Sequence, residues 1–406
     1  MTESNESQTD TKTAKKKPAK KSAKKTPKKK KAEKAEKDKK DLDPIEAAIA
    51  EIEDELGEGT IQYGEGTYVA VEVVHTGVAS LDVALGVGGV PRGRIIEIYG
   101  AESGGKTTLA LQTIAACQQE GGVAAFIDVE HALDPVWASR MGVDMDKLII
   151  SQPDNGEAAI RIVETLVNHG VIDIIVVDSV AALIPKEELD GEVDDTTIAS
   201  QARLMSKAMR RLAGKSLKTR TAIVFINQLR DKVGQQSFGF SKPEQTPGGR
   251  ALKFYSSVRM EVKRTELIRQ KEKPIAARTR VKIVKSKVSP PFRTAEFEIH
   301  FGADHQEPEP IFGIETSLAV MYAAIDRDVL EQRGSNYYLD GGPRLAAGKE
   351  KLLDLIREDP ELKQKLTDRI YDTLNNQATS KDTPEPEDSV VEETDDSLPD
   401  DLMDLD

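Results

Sequence analysis

The sequence has a single cysteine, no long apolar run and no apolar leader. Cys117 is the only cysteine among 406 residues, so no disulfide can form within the chain, which suits a reducing, cytoplasmic setting. No uninterrupted apolar stretch approaches about 18 residues, the length of a transmembrane helix. The first residues also lack the apolar segment of a secretory signal. We therefore expect neither a membrane span nor a secretory signal.

The two ends of the chain carry opposite excess charge, and the C-terminal end has almost no positive charge. Residues 1–41 carry 16 Lys against 7 acidic residues, and residues 381–406 carry 12 acidic residues against one Lys. Both ends have too few apolar side chains to offset the entropy of ordering, so 1–41 and 376–406 are predicted to be disordered. The Lys-rich tail could contact polyanion phosphates or act only as a solubilising tail, and the acidic tail could compete with a polyanion for basic segments of the chain.

A glycine-rich turn between a strand and a helix is the most informative stretch. It follows the apolar run 95–99 and precedes a helical pattern over 108–116. Glycines let backbone N–H groups close around phosphates, while the lysine reaches the outer phosphates and the following hydroxyl can bind Mg²⁺. A turn that merely caps a helix is the alternative, but the flanking elements favour a nucleoside-triphosphate site. Its residues are Gly100, Ala101, Glu102, Ser103, Gly104, Gly105, Lys106, Thr107 and Thr108.

Strands and helices alternate from about Thr76 to Phe301. The early strand candidates are almost continuously apolar, which is typical of parallel strands covered on both faces, and the later ones alternate as antiparallel strands do. We predict an α/β fold with a mixed, mostly parallel sheet. The strand candidates are 95–99, 123–128, 147–151, 172–178, 222–227, 257–263, 279–287 and 296–301.

The segments on either side of this core predict further elements. Asp43 and Pro44 fit the start of an amphipathic helix that Gly57 ends, and Val69, Val71 and Val73 alternate as in a strand. After an acidic linker at 304–310, the apolar spacing predicts three helices, the first of which carries residues from Leu318 to Leu330. The predicted organisation is a Lys-rich tail (1–41), an N-terminal helix and strand (42–74), an ATPase core (75–303), a small C-terminal α+β domain (304–375) and an acidic tail (376–406).

Three polar residues follow strands of the core. Asp178 ends an apolar strand and could hold Mg²⁺ directly or through water. Glu130 could orient or deprotonate a water in line with the γ-phosphate, although the same spacing fits a surface Glu that starts a helix. Gln228 could sense the γ-phosphate by a hydrogen bond, or could be a polar strand end that faces water.

Two long segments follow the strands that end near Asp178 and Gln228. The stretches 187–197 and 231–250 are rich in small, polar and charged residues, and a helix carrying Arg203 and Arg210 follows the first. These segments could grip a nucleic-acid backbone or form a substrate lid. Lys285 and Lys287 face one side of a later strand, which fits either a solvated edge or cations that act on a neighbouring subunit.

Five ordered motifs together closely resemble the bacterial RecA recombinase family. They are GAESGGKTT (100–108), EHALDP (130–135), VVDSVAAL (176–183), NQLR (227–230) and GGRALKFY (248–255). The likeness extends from about Leu42 to Leu374 and is dense across the ATPase core. It implies a cytoplasmic, DNA-dependent ATPase that uses ATP and Mg²⁺, forms helical filaments on single-stranded DNA, pairs and exchanges strands with double-stranded DNA, and activates self-cleavage of a LexA-type repressor in the SOS response.

The resemblance also implies roles for individual residues. Glu130 resembles the catalytic carboxylate, and Lys106 is implied as a second catalytic residue. Gln228 resembles the switch that couples ATP to DNA. Asp134 resembles an adenine contact, and Trp137 stands where a Tyr is usual near the adenine. The implied metal ligands are Thr107 and Asp178, and the implied DNA-binding residues are Ile198, Arg203, Arg210, Gly248, Gly249 and Arg250. Lys285 and Lys287 resemble catalytic lysines that reach the ATP of the neighbouring subunit, and the implied subunit-interface residues are Lys253 and Phe254.

Two other classes of protein fit parts of the pattern. A ring motor with the same core, such as a helicase that translocates on DNA, would share the nucleotide motifs. A binding scaffold that uses ATP only as structural glue would share them too. The helix that precedes the core, and Gly248-Gly249-Arg250 after a long segment, argue against the ring motor. Measurements of DNA-stimulated ATP hydrolysis distinguish such a scaffold from an ATPase.

Overall fold

The computed structural model describes residues 43–61, 71–191, 200–231, 244–302, 311–339 and 341–379. The chain divides into two units, residues 1–69 and 70–406. The predicted Lys-rich tail, the 304–310 linker, Val69, Ile198 and the acidic tail beyond residue 379 lie outside the described residues.

Eleven helices are present within these ranges. They are α1 (Pro44–Leu56), α2 (Ala79–Leu85), α3 (Lys106–Gln119), α4 (Pro135–Arg140), α5 (Gly156–His169), α6 (Lys186–Asp190), α7 (Ser200–Thr219), α8 (Ala251–Tyr255), α9 (Thr316–Asp326), α10 (Lys349–Glu358) and α11 (Pro360–Thr379). A single 3₁₀ turn covers Val180–Ala182.

Sixteen strands are present in the same described ranges. They are β1 (Val73–Val74), β2 (Val90–Pro91), β3 (Ile95–Gly100), β4 (Ala124–Asp128), β5 (Ile149–Ser151), β6 (Ile174–Asp178), β7 (Ala222–Gln228), β8 (Arg230–Asp231), β9 (Glu244–Gln245), β10 (Val258–Gln270), β11 (Lys273–Ser286), β12 (Thr294–Phe301), β13 (Phe312–Ile314), β14 (Leu330–Arg333), β15 (Asn336–Leu339) and β16 (Arg344–Ala347).

Helix α1 of the first unit begins and ends where the sequence predicts. Pro44 occupies its first turn, where a missing N–H has no cost, and Gly57 ends it with a φ of 101°. Asp43 takes the N-cap position, but its side chain makes no capping hydrogen bond. None of the residues of α1 is buried. Among the described residues of the strand expected near 69–73, Val71 lies outside a strand and Val73 begins β1.

The second unit is built on a nine-stranded mixed sheet. The strand order is β13-β12-β11-β10-β3-β7-β6-β4-β5, with parallel pairing from β10 through β5 and antiparallel pairing from β10 to β13. This confirms the predicted α/β fold. All eight strand candidates are present, and β10 and β11 extend well beyond their predicted bounds as a long hairpin.

Alternate residues of the central strands supply two separate cores, one on each face. On one face Ile96, Phe126 and Val224 pack with α2 and α3. On the other face Ile127 and Phe225 pack with α5 and α7. The period of two along each strand sends neighbouring side chains to opposite faces, so a strand covered on both sides is mostly apolar. This arrangement leaves the carboxyl ends of the parallel strands at one edge of the sheet.

The C-terminal part of the second unit forms a third core. Helices α9, α10 and α11 and the antiparallel sheet β14-β15-β16 pack with Ala79 and Val83 of α2. The three predicted helices are present, but the assignment of Leu330 to the first helix is wrong. That helix ends at Asp326, Asp328 has a φ of 55°, and Leu330 begins β14. Helix α11 continues to Thr379, so helix occupies the first residues of the predicted acidic tail.

No helix among the described residues is long and apolar enough to span a membrane.

Candidate active site

The phosphate loop joins β3 to α3 with backbone geometry that only small residues allow. A Cβ atom at Gly100 would lie 2.0 Å from the carbonyl oxygen of Val262, and Gly105 has a φ of 95°. Ser103 also has a positive φ, of 55°. The loop leads directly into the first turn of α3, whose free N–H groups and helix dipole favour an anion.

The side chain of Lys106 is held against this loop. Its Nζ donates to the carbonyl oxygens of Gly100, at 3.1 Å, and Ala101, at 2.7 Å. Burial lowers the pKa of Lys106, and the nearby carboxylates of Asp178, Glu130 and Glu102 oppose that shift. The ammonium is therefore bound at the mouth of the loop, where phosphate oxygens would be competing acceptors.

Thr107 and Asp178 form the second contact of the site. The Thr107 hydroxyl donates to Oδ2 of Asp178 at 2.6 Å. Burial raises the pKa of Asp178 to about 6, the hydrogen bond from Thr107 opposes the shift, and the charge of Glu130 adds to it. A hydroxyl and a carboxylate oxygen suit Mg²⁺, which keeps waters and substrate phosphates as its other ligands. This donor set fits that ion, although the described residues contain no cluster of three or more His, Cys, Asp or Glu that could hold a metal.

The carboxylate of Glu130 receives two donors from neighbouring strand ends. Its Oε1 accepts a hydrogen bond from Nε2 of Gln228 at 2.9 Å and another from the hydroxyl of Ser179. The backbone N–H groups of Val129 and Glu130 donate to the carbonyl of Asp178 at 2.7 and 3.2 Å. Strands β4, β6 and β7 are adjacent and parallel, so their carboxyl ends bring these groups together.

The residues expected near the adenine lie on and around α4. Oδ1 of Asp134 accepts from the N–H groups of Val136, at 2.8 Å, and Trp137, at 3.2 Å, and so caps the helix. The half-buried ring of Trp137 meets Phe312 edge to face, with 6.1 Å between centroids. The guanidinium of Arg140 covers the same phenyl ring at 4.6 Å. These contacts hold α4 in place at its first turn and against Phe312. The contacts of Asp134 and Trp137 with adenine remain a prediction.

Several of the predicted DNA-binding residues come together on α7. Arg203 and Arg210 are exposed. A Cβ atom at Gly248 would lie 2.8 Å from Val180, and one at Gly249 would lie 2.9 Å from Ala202. The returning end of the second long segment therefore lies directly against this helix, beside exposed cations. Arg250 is also exposed.

Not every cation of α7 is free to meet a ligand. Arg211 and Lys215 contact the buried carboxylate of Glu164 on α5, at 2.6 and 3.0 Å. These two side chains join the helices. Arg203 and Arg210, also on α7, therefore remain as candidates for contact with DNA.

The predicted interface residues cluster around α8. Phe254 is 65% exposed, which is unusual for a large apolar side chain. Nζ of Lys285 donates to the carbonyls of Lys253, at 2.8 Å, and Phe254, at 3.0 Å. Burial and then the charge of Lys287 lower the pKa of Lys285 to about 8. Lys287 itself is exposed.

Sequence reasoning did not single out four polar residues around the site. Ser179 contacts Glu130, and Glu97, Asn227 and Arg259 form a buried cluster in the central strands. The available signal for the cluster was Glu97, a charged residue inside an otherwise apolar strand. Nothing in the spacing distinguished Ser179 from other serines.

Comparison with known proteins agrees with this geometry. Residues 43–305 match the family model described as the RecA N-terminal domain. The chain is 49% identical over 344 residues to Protein RecA of Clostridium novyi, covering 84% of this chain and 95% of the relative. It is 50% identical over 333 residues to Protein RecA of Symbiobacterium thermophilum (82% and 92%), and 48% identical over 330 residues to Protein RecA of Thermus thermophilus (81% and 93%).

Proposed function

The chain belongs to the RecA family, and on that premise we propose how its own residues carry out the family's reaction. It is a DNA-dependent ATPase that forms helical filaments on single-stranded DNA and catalyses homologous pairing and strand exchange. The observation that carries the residue assignments is the meeting of Glu130, Gln228 and Asp178 at the carboxyl ends of three adjacent strands beside the phosphate loop.

We propose that the nucleotide is ATP and that Mg²⁺ accompanies it. The N–H groups from Gly100 to Thr108 would bind the phosphates, and Lys106 would exchange its two carbonyl partners for phosphate oxygens. Thr107 and Asp178 would hold the metal ion, which neutralises charge that develops on the phosphates. Asp134 and Trp137 would contact the adenine, the indole through its flat face.

Glu130 is the proposed catalytic carboxylate. It would orient a water molecule and accept its proton, while the Ser179 hydroxyl holds the carboxylate at Oε1. Gln228 is the proposed phosphate sensor. We propose that its amide leaves Glu130 when it turns to the terminal phosphate. The same movement would free the carboxylate for the water.

The DNA and the neighbouring subunit are assigned to surfaces around α7 and α8. Ile198, Arg203, Arg210, Gly248, Gly249 and Arg250 are the proposed DNA-binding residues. Lys285 and Lys287 would act on the nucleotide of the adjacent subunit, with Lys253 and Phe254 at the same interface. The segment 42–74 is the proposed polymerisation element, and 75–303 and 304–375 are the proposed core and C-terminal domain.

A LexA-type repressor is the proposed protein partner, and the cytoplasm the proposed location. Both follow from membership of the family, and the single buried thiol of Cys117 suits a reducing compartment.

Two substitutions test the assignments of the nucleotide site. Lys106→Ala should abolish DNA-stimulated hydrolysis and weaken nucleotide binding. Glu130→Ala should abolish the hydrolysis and leave binding of a fluorescent ATP analogue close to that of the unaltered protein. A matched control is Glu72→Ala, which removes the carboxylate of an exposed pair with Arg220. Normal hydrolysis by Glu130→Ala would show that another group activates the water.

A further inference from the structure

A buried charged pair lies near the middle of the main sheet. Glu97 on β3 is fully buried, Arg259 on β10 is 7% exposed, and the two residues face each other in the parallel register of these strands. Nε of Arg259 lies 2.5 Å from Oε2 of Glu97. Removing two charges from water cancels much of their attraction, so a buried pair of this kind adds little stability compared with apolar residues of similar volume. Stability alone therefore does not account for it.

Asn227 joins this pair to the backbone of the second long segment. Its Nδ2 donates to Oε1 of Glu97 at 3.0 Å and to the carbonyl oxygen of Pro247 at 3.2 Å. Its Oδ1 accepts from the N–H of Gln228 at 3.0 Å. Asn227 is fully buried, so every polar atom of the amide is committed to a partner that water cannot replace.

These bonds connect the two described ends of one segment. The chain leaves β7 at Gln228, whose side chain contacts Glu130. It returns at Pro247, which is followed by Gly248 and Gly249, the two glycines that lie against Val180 and α7. One fully buried amide, that of Asn227, contacts both ends. A movement of the Gln228 backbone must therefore break its own bond to the Asn227 amide, stretch the bond from that amide to the Pro247 carbonyl, or carry the carbonyl along.

Arg259 extends the connection toward the phosphate loop and the subunit interface. Its guanidinium covers the ring of Tyr99, the residue before Gly100, at 4.5 Å. Across the β10–β11 pair it lies opposite Lys285, which donates to the carbonyls of α8. Arg259 on β10 thus lies between β3, the strand that leads into the phosphate loop, and β11, the strand that carries Lys285.

We propose that Asn227, Glu97 and Arg259 are positioning residues that couple the sensor Gln228 to the DNA-facing end of the segment at Pro247–Gly249. This rests on the proposed function of Gln228. The three side chains do not contact the reacting groups. They hold Gln228, the segment end at Pro247–Gly249 and strand β3 at fixed distances from one another. A displacement of one of these parts is therefore passed to the others.

The direct test compares single-stranded DNA affinity in the presence of a non-hydrolysable ATP analogue with that in ADP. In Asn227→Leu, which keeps the volume and removes the amide, we expect the ratio of the two affinities to fall at least tenfold toward one. Nucleotide saturation is verified in the same samples. The matched control is Thr113→Val, which removes a buried hydrogen bond to Leu109 in α3.

A second variant removes the charged pair without leaving an unpaired charge. Glu97→Leu combined with Arg259→Met should also reduce the affinity ratio, although it leaves Asn227 in place. Wild-type affinity ratios in both variants, with only the melting temperature changed as in Thr113→Val, would overturn the proposal and show a purely structural role.

A measurement on the unaltered protein covers the case in which neither variant folds. Without DNA, the ATP analogue should change hydrogen exchange of the amides at Gly248 and Gly249 relative to ADP. Unchanged exchange there would overturn the proposed relay. The proposed function fails differently, because it would be contradicted by an unaltered protein whose ATP hydrolysis does not respond to DNA.

Discussion

At the scale of single residues, Glu130 is aimed by donors from two neighbouring strands. Ser179→Ala would remove the donor that stays with the carboxylate when Gln228 turns to the phosphate. We expect DNA-stimulated hydrolysis to fall roughly tenfold, with little change in nucleotide affinity, because a loosely held base is misaligned with its water. Steady-state hydrolysis and analogue binding measure the two effects. Ser206→Ala, which removes a hydroxyl bonded to Ala202, is the control, and equal rates in both variants would contradict the role of Ser179.

A second residue cluster makes the attachment of α11 depend on pH. Tyr371 on α11 donates to the buried carboxylate of Asp82 at 2.6 Å, and its ring packs against His75, with 4.4 Å between centroids. Thr76 also donates to Asp82, and His75 lies 2.5 Å from Glu120. Burial raises the pKa of Asp82 to about 6, and the hydrogen bond that His75 donates to the Glu120 carboxylate raises the pKa of His75.

Both shifts change stability with the same sign. A folded-state pKa above the unfolded value means that the folded protein holds the proton more tightly, so stability falls as the pH rises. For Asp82 this loss lies between about pH 4 and about pH 6, and for His75 it continues above the unfolded pKa of 6.5. Nearby Arg92 opposes the shift at His75.

His75→Gln tests this pH dependence because glutamine can still bond to Glu120 but does not titrate. The unaltered protein should lose thermal stability between pH 6 and pH 8.5, and the variant should lose less. Melting temperatures across this range give the comparison. Parallel curves for the two proteins would show that His75 is not the titrating group.

The sequence was enough to predict the site residues that lie at strand ends. It was not enough to predict those that lie within strands. Asp178, Glu130 and Gln228 each follow an apolar run, and parallel strands place such residues at one edge. Asn227 and Arg259 resembled ordinary strand residues, because their partners come from strands that are distant in the sequence. The shared bond of Glu130 and Gln228 likewise depends on which strands are adjacent, and spacing does not give strand order.

At the scale of elements, α7 contains a glycine that its fold does not use. Gly214 lies in the helix interior, and nothing comes within 4 Å of a Cβ atom built there. Gly214→Ala should stabilise the protein by about 0.5–1 kcal/mol, since alanine loses less backbone entropy in a helix. Thermal unfolding measures this, and a lower melting temperature would contradict it.

Gly248 gives the opposite expectation. Its φ is 83°, and a Cβ atom would lie 2.8 Å from Val180. Gly248→Ala should destabilise the protein by about 1–3 kcal/mol, because a side chain disfavours this conformation. It should also weaken binding of single-stranded DNA, which a fluorescence titration measures. Wild-type stability and affinity would show that the segment end is free to rearrange.

The elements themselves were predictable to different degrees. Strands such as β6, with the buried run from Ile174 to Asp178, are long enough and apolar enough to be assigned from composition. The sheet β14-β15-β16 was not, since its four-residue strands are mostly polar on the exposed face. Leu330 comes soon enough after Ile325 to be taken as part of the same apolar pattern, and only the turn at Asp328 shows that the helix has ended.

At the scale of the whole molecule, α1 is expected to join one subunit to the next. The helix carries Ile45 and Leu56, which are 58% and 69% exposed. Ile45→Glu with Ile52→Glu should abolish filament assembly and leave the melting temperature of the core unchanged. Light scattering and electron microscopy follow assembly. The control is Glu46→Gln on the same helix, and normal filaments in the double variant would contradict the role of α1.

The coupling of nucleotide to DNA is most directly measured by the ATP hydrolysis rate of the unaltered protein, with and without single-stranded DNA, while the same samples are imaged by electron microscopy. We expect slow hydrolysis without DNA, a large increase with DNA, and continuous helical filaments when the non-hydrolysable analogue replaces ATP. Equal hydrolysis rates in the two conditions, with no filaments on the DNA, would contradict the link between Gln228 and the DNA-facing segment end.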